Sequence, residues 1–383
     1  MVDAASLLTR LRGETEAMVG ATERLAAIDS GSADRDGIAR VCNALDEILT
    51  GAGFSVRRHD DGGLTATMAG GGAHRLLLVG HADTVWPAGT AAGWRPRREG
   101  DMLSGPGVGD MKGCLVMAAH AVAAARDAGA LIGVSELELL VVPDEELGSV
   151  SSRPWIEARA AGATACLGLE AGWPGGGVVV ERGAVGAVSV TAAGRTAHAA
   201  GHEDRGASAV SALAPLVTAL EALSRPEDGV RVSVGVFQGG VARQVVPDHA
   251  ELILDLRAPA PGAADELADA VRATVDAARP AGVELTLSGG ITRPAWPRSA
   301  SARLWERAQA HAATLGLPLR AESSRGGSDA SFAAARGVPT LDGLGPICHD
   351  SCARGERIEI ASLAQRAALM ACLIGDLGAE WSA

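Results

Sequence analysis

The sequence predicts a doubly wound α/β domain with a mixed sheet, interrupted by a smaller two-layer α+β insertion of ferredoxin-like pattern. Three observations predict it. Short apolar runs of strand length alternate with helical stretches up to about residue 170, and again from residue 299. Between them, counted from residue 186, the order is strand, helix, strand, strand, helix, strand, which is the split βαβ unit. A chain of 383 residues also exceeds one ordinary core. The expected boundaries are 1–182 and 294–383 for the first domain and 183–293 for the insertion.

Taken in order, residues 4–27 show helical periodicity through Leu7, Leu8, Leu11, Met18 and Leu25. Ser32 to Asp34 can cap a second helix that runs through Leu49 and stops at Gly51 and Gly53. Short strands are expected near 54–58 and 64–68, then a buried strand over 75–80, Leu76-Leu77-Leu78-Val79 being its apolar centre. The segment from Trp86-Pro87 to Gly107 is rich in turns, with a β-ribbon around 97–103. A long apolar helix follows at about 112–128, a core strand at 137–142, a helix at 151–161 and a strand at 165–169. After Glu170, residues 178–182 and 186–193 alternate like strands, the second of them opening the insertion, which continues with a helix at 205–223, strands at 230–238 and 250–258, a helix at 263–279 and a strand at 283–287.

Chemistry-bearing residues stand where these elements end. His81 and Asp83 close the first buried strand, and residues i and i+2 of an extended segment project to the same side. Asp110 closes the Gly-rich turn Gly105-Pro106-Gly107-Val108-Gly109, and Glu145-Glu146 follow the strand over 137–142. Glu170 ends the next strand, and His349 lies near the C-terminal end of the chain. In α/β sheets, sites form at strand ends. Two histidines with several carboxylates suit zinc and related divalent metals. Two metals sharing one bridging carboxylate need about six to seven ligands, which this set can supply. The member of the Glu145-Glu146 pair that is not a ligand could then be a general base, and Asp83 could fix the tautomer of His81.

Totals exclude other classes. The net charge of −12, with Lys112 the one lysine, argues against nucleic-acid binding. The first 27 residues carry charges throughout, so no signal peptide is expected, and no uninterrupted apolar run of membrane-spanning length occurs. The six scattered cysteines read as reduced cytoplasmic thiols. Cys348 and Cys352, four apart with no second pair, do not suggest a metal site of their own. The glycines at 105, 107 and 109 lack dinucleotide-loop spacing, which counts against a nicotinamide-dependent oxidoreductase.

Three strings resemble the co-catalytic di-zinc peptidase family of carboxypeptidase G-type glutamate carboxypeptidases, acetylornithine deacetylase, succinyl-diaminopimelate desuccinylase and aminoacylase. They are His81-Ala82-Asp83-Thr84-Val85, Gly105 to Gly113, and Asp144-Glu145-Glu146-Leu147-Gly148-Ser149, in the family's order. The resemblance extends through Glu170, Gly194-Arg195-Thr196-Ala197-His198, Val245-Val246-Pro247, Asp255-Leu256-Arg257, Gly327-Ser328-Asp329 and His349. It implies two Zn2+ per subunit, with Co2+ or Mn2+ as substitutes. Asp110 would bridge them, His81 and Glu170 would complete one site, and Glu146 and His349 the other. Glu145 would be the general base, Asp83 the partner of His81, and the peptide after Asp110 would be cis. His198 would stabilise the oxyanion in a neighbouring subunit, making the insertion a lid and the homodimer contact.

For substrate, Arg293-Pro294-Ala295-Trp296 resembles the segment whose arginine grips the substrate α-carboxylate in glutamate carboxypeptidases. Gly326 and Gly327 would let backbone N–H groups approach that carboxylate, and Gln244 would contact substrate. Three positions depart from the family's pattern. Gln244 replaces a common Asn, Gly109 a common Ala, and Cys348 a frequent aromatic. The implied activity is a zinc carboxypeptidase releasing C-terminal glutamate or a similar amino acid from peptidyl or N-acyl substrates. The alternatives are an N-acyl-amino-acid deacylase on the same scaffold and a metal-free binding protein. No nucleic-acid or membrane partner is expected, and the location implied is cytoplasmic.

Overall fold

A computed structural model describes residues 3–200 and 205–379. The chain folds as two compact units. One comprises Met1–Glu181, Pro297–Ser323 and Ser328–Ala383, the other Arg182–Trp296 with Ser324–Gly327.

The first unit opens with α1 (Ala4–Gly13), α2 (Thr15–Ala26) and α3 (Arg35–Gly51). The periodic stretch over 4–27 is thus two helices, because the chain turns at Glu14, whose N–H bonds back to the Leu11 carbonyl at 3.1 Å. Asp34 caps α3, its carboxylate accepting the Gly37 N–H at 2.8 Å. There follow β1 (Ser55–Arg58), β2 (Leu64–Ala69), β3 (His74–His81), the short α4 (Thr90–Gly93), β4 (Arg97–Glu99), β5 (Met102–Ser104), α5 (Gly113–Asp127), β6 (Val134–Val142), α6 (Arg153–Ala160), β7 (Ala165–Gly168) and β8 (Gly177–Arg182). The second unit carries β9 (Ala184–Ala193), α7 (Ala209–Glu221), β10 (Arg231–Gly239), β11 (His249–Ala258), α8 (Pro261–Ala277) and β12 (Glu284–Arg293). The chain then adds α9 (Ala302–Leu315), β13 (Arg320–Ser324), α10 (Ala330–Ala335), β14 (Thr340–Leu341), β15 (Cys348–His349), β16 (Arg357–Glu359) and α11 (Ile360–Ala379).

The main sheet of the first unit has the order β1-β2-β6-β3-β7-β14. Strands β6 and β7 flank β3 and run parallel to it, β14 is parallel to β7, and β2 is antiparallel to β6, so the sheet is mixed. From β3 the chain passes through α5 to β6 on one side, then through α6 to β7 on the other. The winding reverses at β3, and the carboxyl ends of strands beside such a switch point form a crevice. His81, Val142 and Gly168 are those ends.

Helix α5 is buried almost all round, from Gly113 to Ala125 apart from His120 and Ala123. A helix apolar on every face belongs in a core, and its alanines let α11 and α2 approach closely. The windows Val108–Asp127 and Ile360–Leu377 are long and apolar enough to cross a membrane, yet 83% and 78% of them are buried within the fold, as core helices are.

Among the described residues the second unit forms an antiparallel sheet, β10-β11-β9-β12, with α7 and α8 packed on it. Its inward positions alternate along β9 and β11 and close a separate core of Val188, Val190, Leu252, Leu254 and Leu256. This unit also takes up 324–327, which the sequence does not place there. The reason is Arg182, 6% exposed, whose Nη1 donates to Ser324 Oγ at 3.2 Å and to the Gly326 and Gly327 carbonyls at 3.0 and 3.1 Å.

One tether in the first unit makes stability depend on pH. His311 on α9 bonds Asp376 on α11 at 2.6 Å, and that hydrogen bond, with a second one to Cys372, pushes the imidazole up to about 9 from 6.5. The group binds its proton more tightly folded than unfolded. Its stabilisation is therefore complete below the unfolded value and is lost as pH rises through the folded one. We expect His311→Gln to lower stability at about pH 6 and to cost little at about pH 10. Denaturant unfolding at both pH values checks this, and an equal loss at both would refute it.

Candidate metal centre

Each side chain of the centre sits where the first unit's backbone changes direction. His81 is the last residue of β3 and is 1% exposed. Its Nδ1 donates to the Asp83 carbonyl at 2.9 Å and lies 3.2 Å from Asp83 Oδ1. Its Nε2 is 3.1 Å from Asp110 Oδ1. Asp110 lies in the kinked turn Val108–Lys112 that leads into α5, and its peptide bond to Met111 is cis, as expected. Glu145 and Glu146 open the single turn Glu145–Leu147 after β6. Asp83, fully buried, holds that turn. Its two oxygens accept the N–H of Glu145 and of Glu146, each at 3.1 Å, and Oδ2 also accepts the Ser32 hydroxyl at 2.7 Å. Asp83 therefore orients both His81 and the two glutamates.

Among the described residues, His81, Asp110 and Glu146 offer ligand atoms that all lie within 4.8 Å of one another. The donor set fits a divalent cation on three counts. With Nδ1–H given to Asp83, a neutral His81 turns its Nε2 lone pair toward an Asp110 oxygen, so a second proton or a cation must lie between two acceptors. Glu146 Oε1 is buried with no hydrogen-bond partner. Burial, with Asp110 and Glu145 adding like charge, pushes Glu146 up to about 8, and burial together with Asp110 pushes Glu170 up well above the ordinary range. Carboxyls crowded in this way are neutral without a cation and ionised with one.

The other expected residues of the first unit are placed less centrally. Glu170 follows the end of β7, its N–H bonded to Asp342 Oδ1 at 3.3 Å. His349 on β15 is engaged with Glu359 at 2.9 Å and lies outside the three-residue group. Its loop reaches Asp110 through two residues that sequence reasoning missed. Ser351 Oγ and Cys352 Sγ donate to Asp110 Oδ2 at 2.8 and 3.2 Å. Two departures from the family's pattern prove to be one packing solution. A Cβ on Gly109 would lie 2.2 Å from Cys348 Sγ, so the missing methyl and the cysteine occupy the same space.

The second unit gathers the remaining residues in two places. His198 is exposed and bridges Val245, while the Ala199 N–H donates to the Gln244 carbonyl at 3.0 Å, so His198 and Gln244 lie side by side. Arg293 ends β12 and is 3% exposed rather than on the surface. Its stem occupies the space a side chain at 327 would need, Cγ lying 2.5 Å from where that Cβ would be, so Gly327 is required there. Gly326 and Gly327 are held by Arg182, and nothing local in the sequence singled that residue out.

A cleft of about 610 Å3 opens beside the metal centre of the first unit, lined by Ser32, Thr84, Val85, Glu146 and Leu147. A larger cavity of about 680 Å3 among α1, α2, α3 and α5 holds the paired Arg10, Glu14 and His120 and none of the metal-centre residues. Chemistry, not size, marks the first as the candidate substrate cleft.

Comparison with known proteins follows the same lines. The sequence profile of peptidase family M20/M25/M40 matches residues 77–376. Carboxypeptidase G2 of Pseudomonas sp. (strain RS-16) is 29% identical over 382 residues, spanning 96% of this chain and 90% of that protein. A succinyl-diaminopimelate desuccinylase of Rhizorhabdus wittichii is 30% identical over 337 residues, 81% of this chain and 85% of that protein. Of solved structures, the M20 family metallo-carboxypeptidase Sso-CP2 from Sulfolobus solfataricus superposes with a TM-score of 0.76 at 16% identity, over 94% of this chain and 99% of that one. Aminopeptidase PepT from Bacillus cereus gives 0.72 at 23% identity, over 95% and 98%. At such identities the structures speak for the fold.

Proposed function

Since this chain belongs to peptidase family M20/M25/M40 and is a metallo-hydrolase acting on amide bonds, we propose that it is a carboxypeptidase releasing C-terminal glutamate or a similar amino acid from peptidyl or N-acyl substrates. The observation that supports the reaction most is the convergence of His81, Asp110 and Glu146 within 4.8 Å, with Glu145 on the same turn as Glu146. The observation that favours this substrate class is the 29% identity to carboxypeptidase G2 over nearly the whole chain.

In this assignment Asp110, His81, Glu170, Glu146 and His349 hold two zinc ions per subunit. A metal held there would supply Lewis acidity toward the scissile carbonyl and would lower the pKa of water toward neutrality. Glu145 takes the proton from the attacking water and later delivers it to the nitrogen of the leaving amino acid. Asp83 keeps His81 in one tautomer and holds the turn that carries Glu145. His198 stabilises the oxyanion in the neighbouring subunit of a homodimer. Arg293 recognises the free α-carboxylate, with Gln244, Gly326 and Gly327 contributing contacts. All six cysteines are free thiols, in keeping with the cytoplasm as the location.

A second reading, N-acyl-amino-acid deacylase, is favoured by the 30% identity to the desuccinylase. Both readings cleave an amide and differ in which side is recognised. A hydrolysis panel separates them, with peptidyl and N-acyl derivatives of glutamate, aspartate, ornithine and diaminopimelate, each as free acid and α-amide. We expect glutamate derivatives to be cleaved fastest and the α-amides to be poor substrates. Equal rates on amides and acids would contradict the carboxypeptidase assignment. Preference for acetyl-ornithine or succinyl-diaminopimelate would establish the deacylase.

A further inference from the structure

Glu356 stands one residue before β16 and is fully buried. Its Oε1 accepts two consecutive backbone N–H groups, that of Gly109 at 2.9 Å and that of Asp110 at 3.1 Å. Its Oε2 accepts the Trp86 indole N–H at 3.4 Å, and its own carbonyl accepts the Gly105 N–H at 3.3 Å. One residue from the far end of the chain therefore grips the Gly-rich turn at Gly105, Gly109 and Asp110. The Asp110 side chain is thereby left for His81 at 3.1 Å and for Ser351 at 2.8 Å.

We propose that Glu356 is a positioning residue of the metal centre. It fixes the backbone from which Asp110 hangs, so that the carboxylate is set toward His81 and Glu146 before any ion arrives. The inference rests on the assignment of Asp110 as a metal ligand. Hydrogen bonds from N–H groups to a carboxylate are among the strong ones, and here two of them converge on a single oxygen. Neither joins the metal, so Glu356 acts through Asp110. The cost of losing it should appear first in metal affinity. Outer partners of metal ligands typically contribute about 10–100-fold to affinity or activity.

The test uses the full chain and three substitutions. Glu356→Ala removes both bonds to the turn and the third from the Trp86 indole. Glu356→Asp keeps the charge but falls one methylene short of the turn. Glu356→Gln keeps an oxygen that can accept both N–H groups of the turn and gives up only the long 3.4 Å bond from the Trp86 indole. Zinc affinity is measured by competition with a chromophoric chelator, Co2+ binding by its visible absorption, and kcat and KM on a cleaved substrate, with thermal unfolding of the metal-free chain as control. The expected result is a zinc affinity lowered about 10–100-fold in the Ala and Asp variants, a lower kcat at little-changed KM, and an altered Co2+ spectrum. The Gln variant should stay near wild type in affinity. If the Ala variant does not fold, the Asp and Gln pair carries the comparison. Zinc affinity and Co2+ spectrum unchanged in folded Ala or Asp variants would overturn the inference, as would a Gln variant as impaired as Ala. In both of those cases the wild-type chain still binds metal and the proposed function stands. A wild-type chain that binds no metal would instead remove the ligand assignment itself, and the inference with it.

Discussion

Glu145→Gln is expected to abolish turnover and to leave metal binding unchanged. The expected fall in kcat is at least the roughly 10²–10⁴-fold that a general acid–base group supplies, and larger in the proposed mechanism, where one group serves both proton transfers. The substitution isolates that role because Gln keeps the size of Glu. The backbone N–H groups of residues 145 and 146 still bond Asp83, each at 3.1 Å, so the turn and Glu146 stay in place. The glutamine amide cannot take a proton from water near neutral pH. Metal content and substrate KM should therefore match wild type while the single-turnover rate collapses. Loss of metal together with activity would mean that the two glutamates have exchanged roles.

Asp110→Asn acts on the opposite side of the ledger. It should release the metal, lowering zinc affinity by more than the about 10–100-fold expected for a mere outer partner. Asp110 is the carboxylate on which the first unit converges. His81 Nε2 meets one of its oxygens, and the Ser351 hydroxyl and Cys352 thiol donate to the other. Asn keeps the shape and removes the charge, so the turn held by Glu356 should survive while the cation loses its central anion. Equilibrium dialysis against zinc decides it. Affinity within a few-fold of wild type would show that the ion, if bound, is centred elsewhere. Near-native thermal stability of the metal-free variant would separate lost ligation from lost fold.

Much of this centre was legible in the sequence because its parts are local. A strand end carrying His81 and Asp83, a Gly-rich turn ending on Asp110, and the Glu145-Glu146 pair each announce themselves within a few residues. Their convergence follows from the parallel order of β6, β3 and β7 at the switch point. What was not legible depends on distant pairs. Ser32 reads as a helix cap, yet its hydroxyl serves Asp83, 51 residues on. Glu356, Ser351 and Cys352 lie 241 residues or more from the turn they hold, and no periodicity encodes such contacts. Likewise Arg182 recruits 324–327 into the second unit across 142 residues or more.

Local rules also misled where a fold-level demand overrode them. Strand β12 was expected to end near residue 287 but runs to Arg293, through Gly289 and Gly290 at positive φ and a register shift after Ile291. The strand continues through these two glycines, and that continuation carries Arg293 to its buried position. Residues 177–180 are buried on both faces instead of alternating, because β8 pairs with β13 and packs into the first unit's core.

If the chain holds zinc between its acidic and imidazole groups and uses it to hydrolyse amides, metal content and rate must rise and fall together. The most direct measurement is zinc content per chain of the dialysed protein, taken with its rate on peptidyl- and N-acyl-glutamate before chelation, after chelation and after zinc is restored. The expected result is about two zinc ions per chain, activity that disappears with the metal, and activity that returns with it. Less than about one zinc per chain, with no hydrolysis after metal is added, would contradict it.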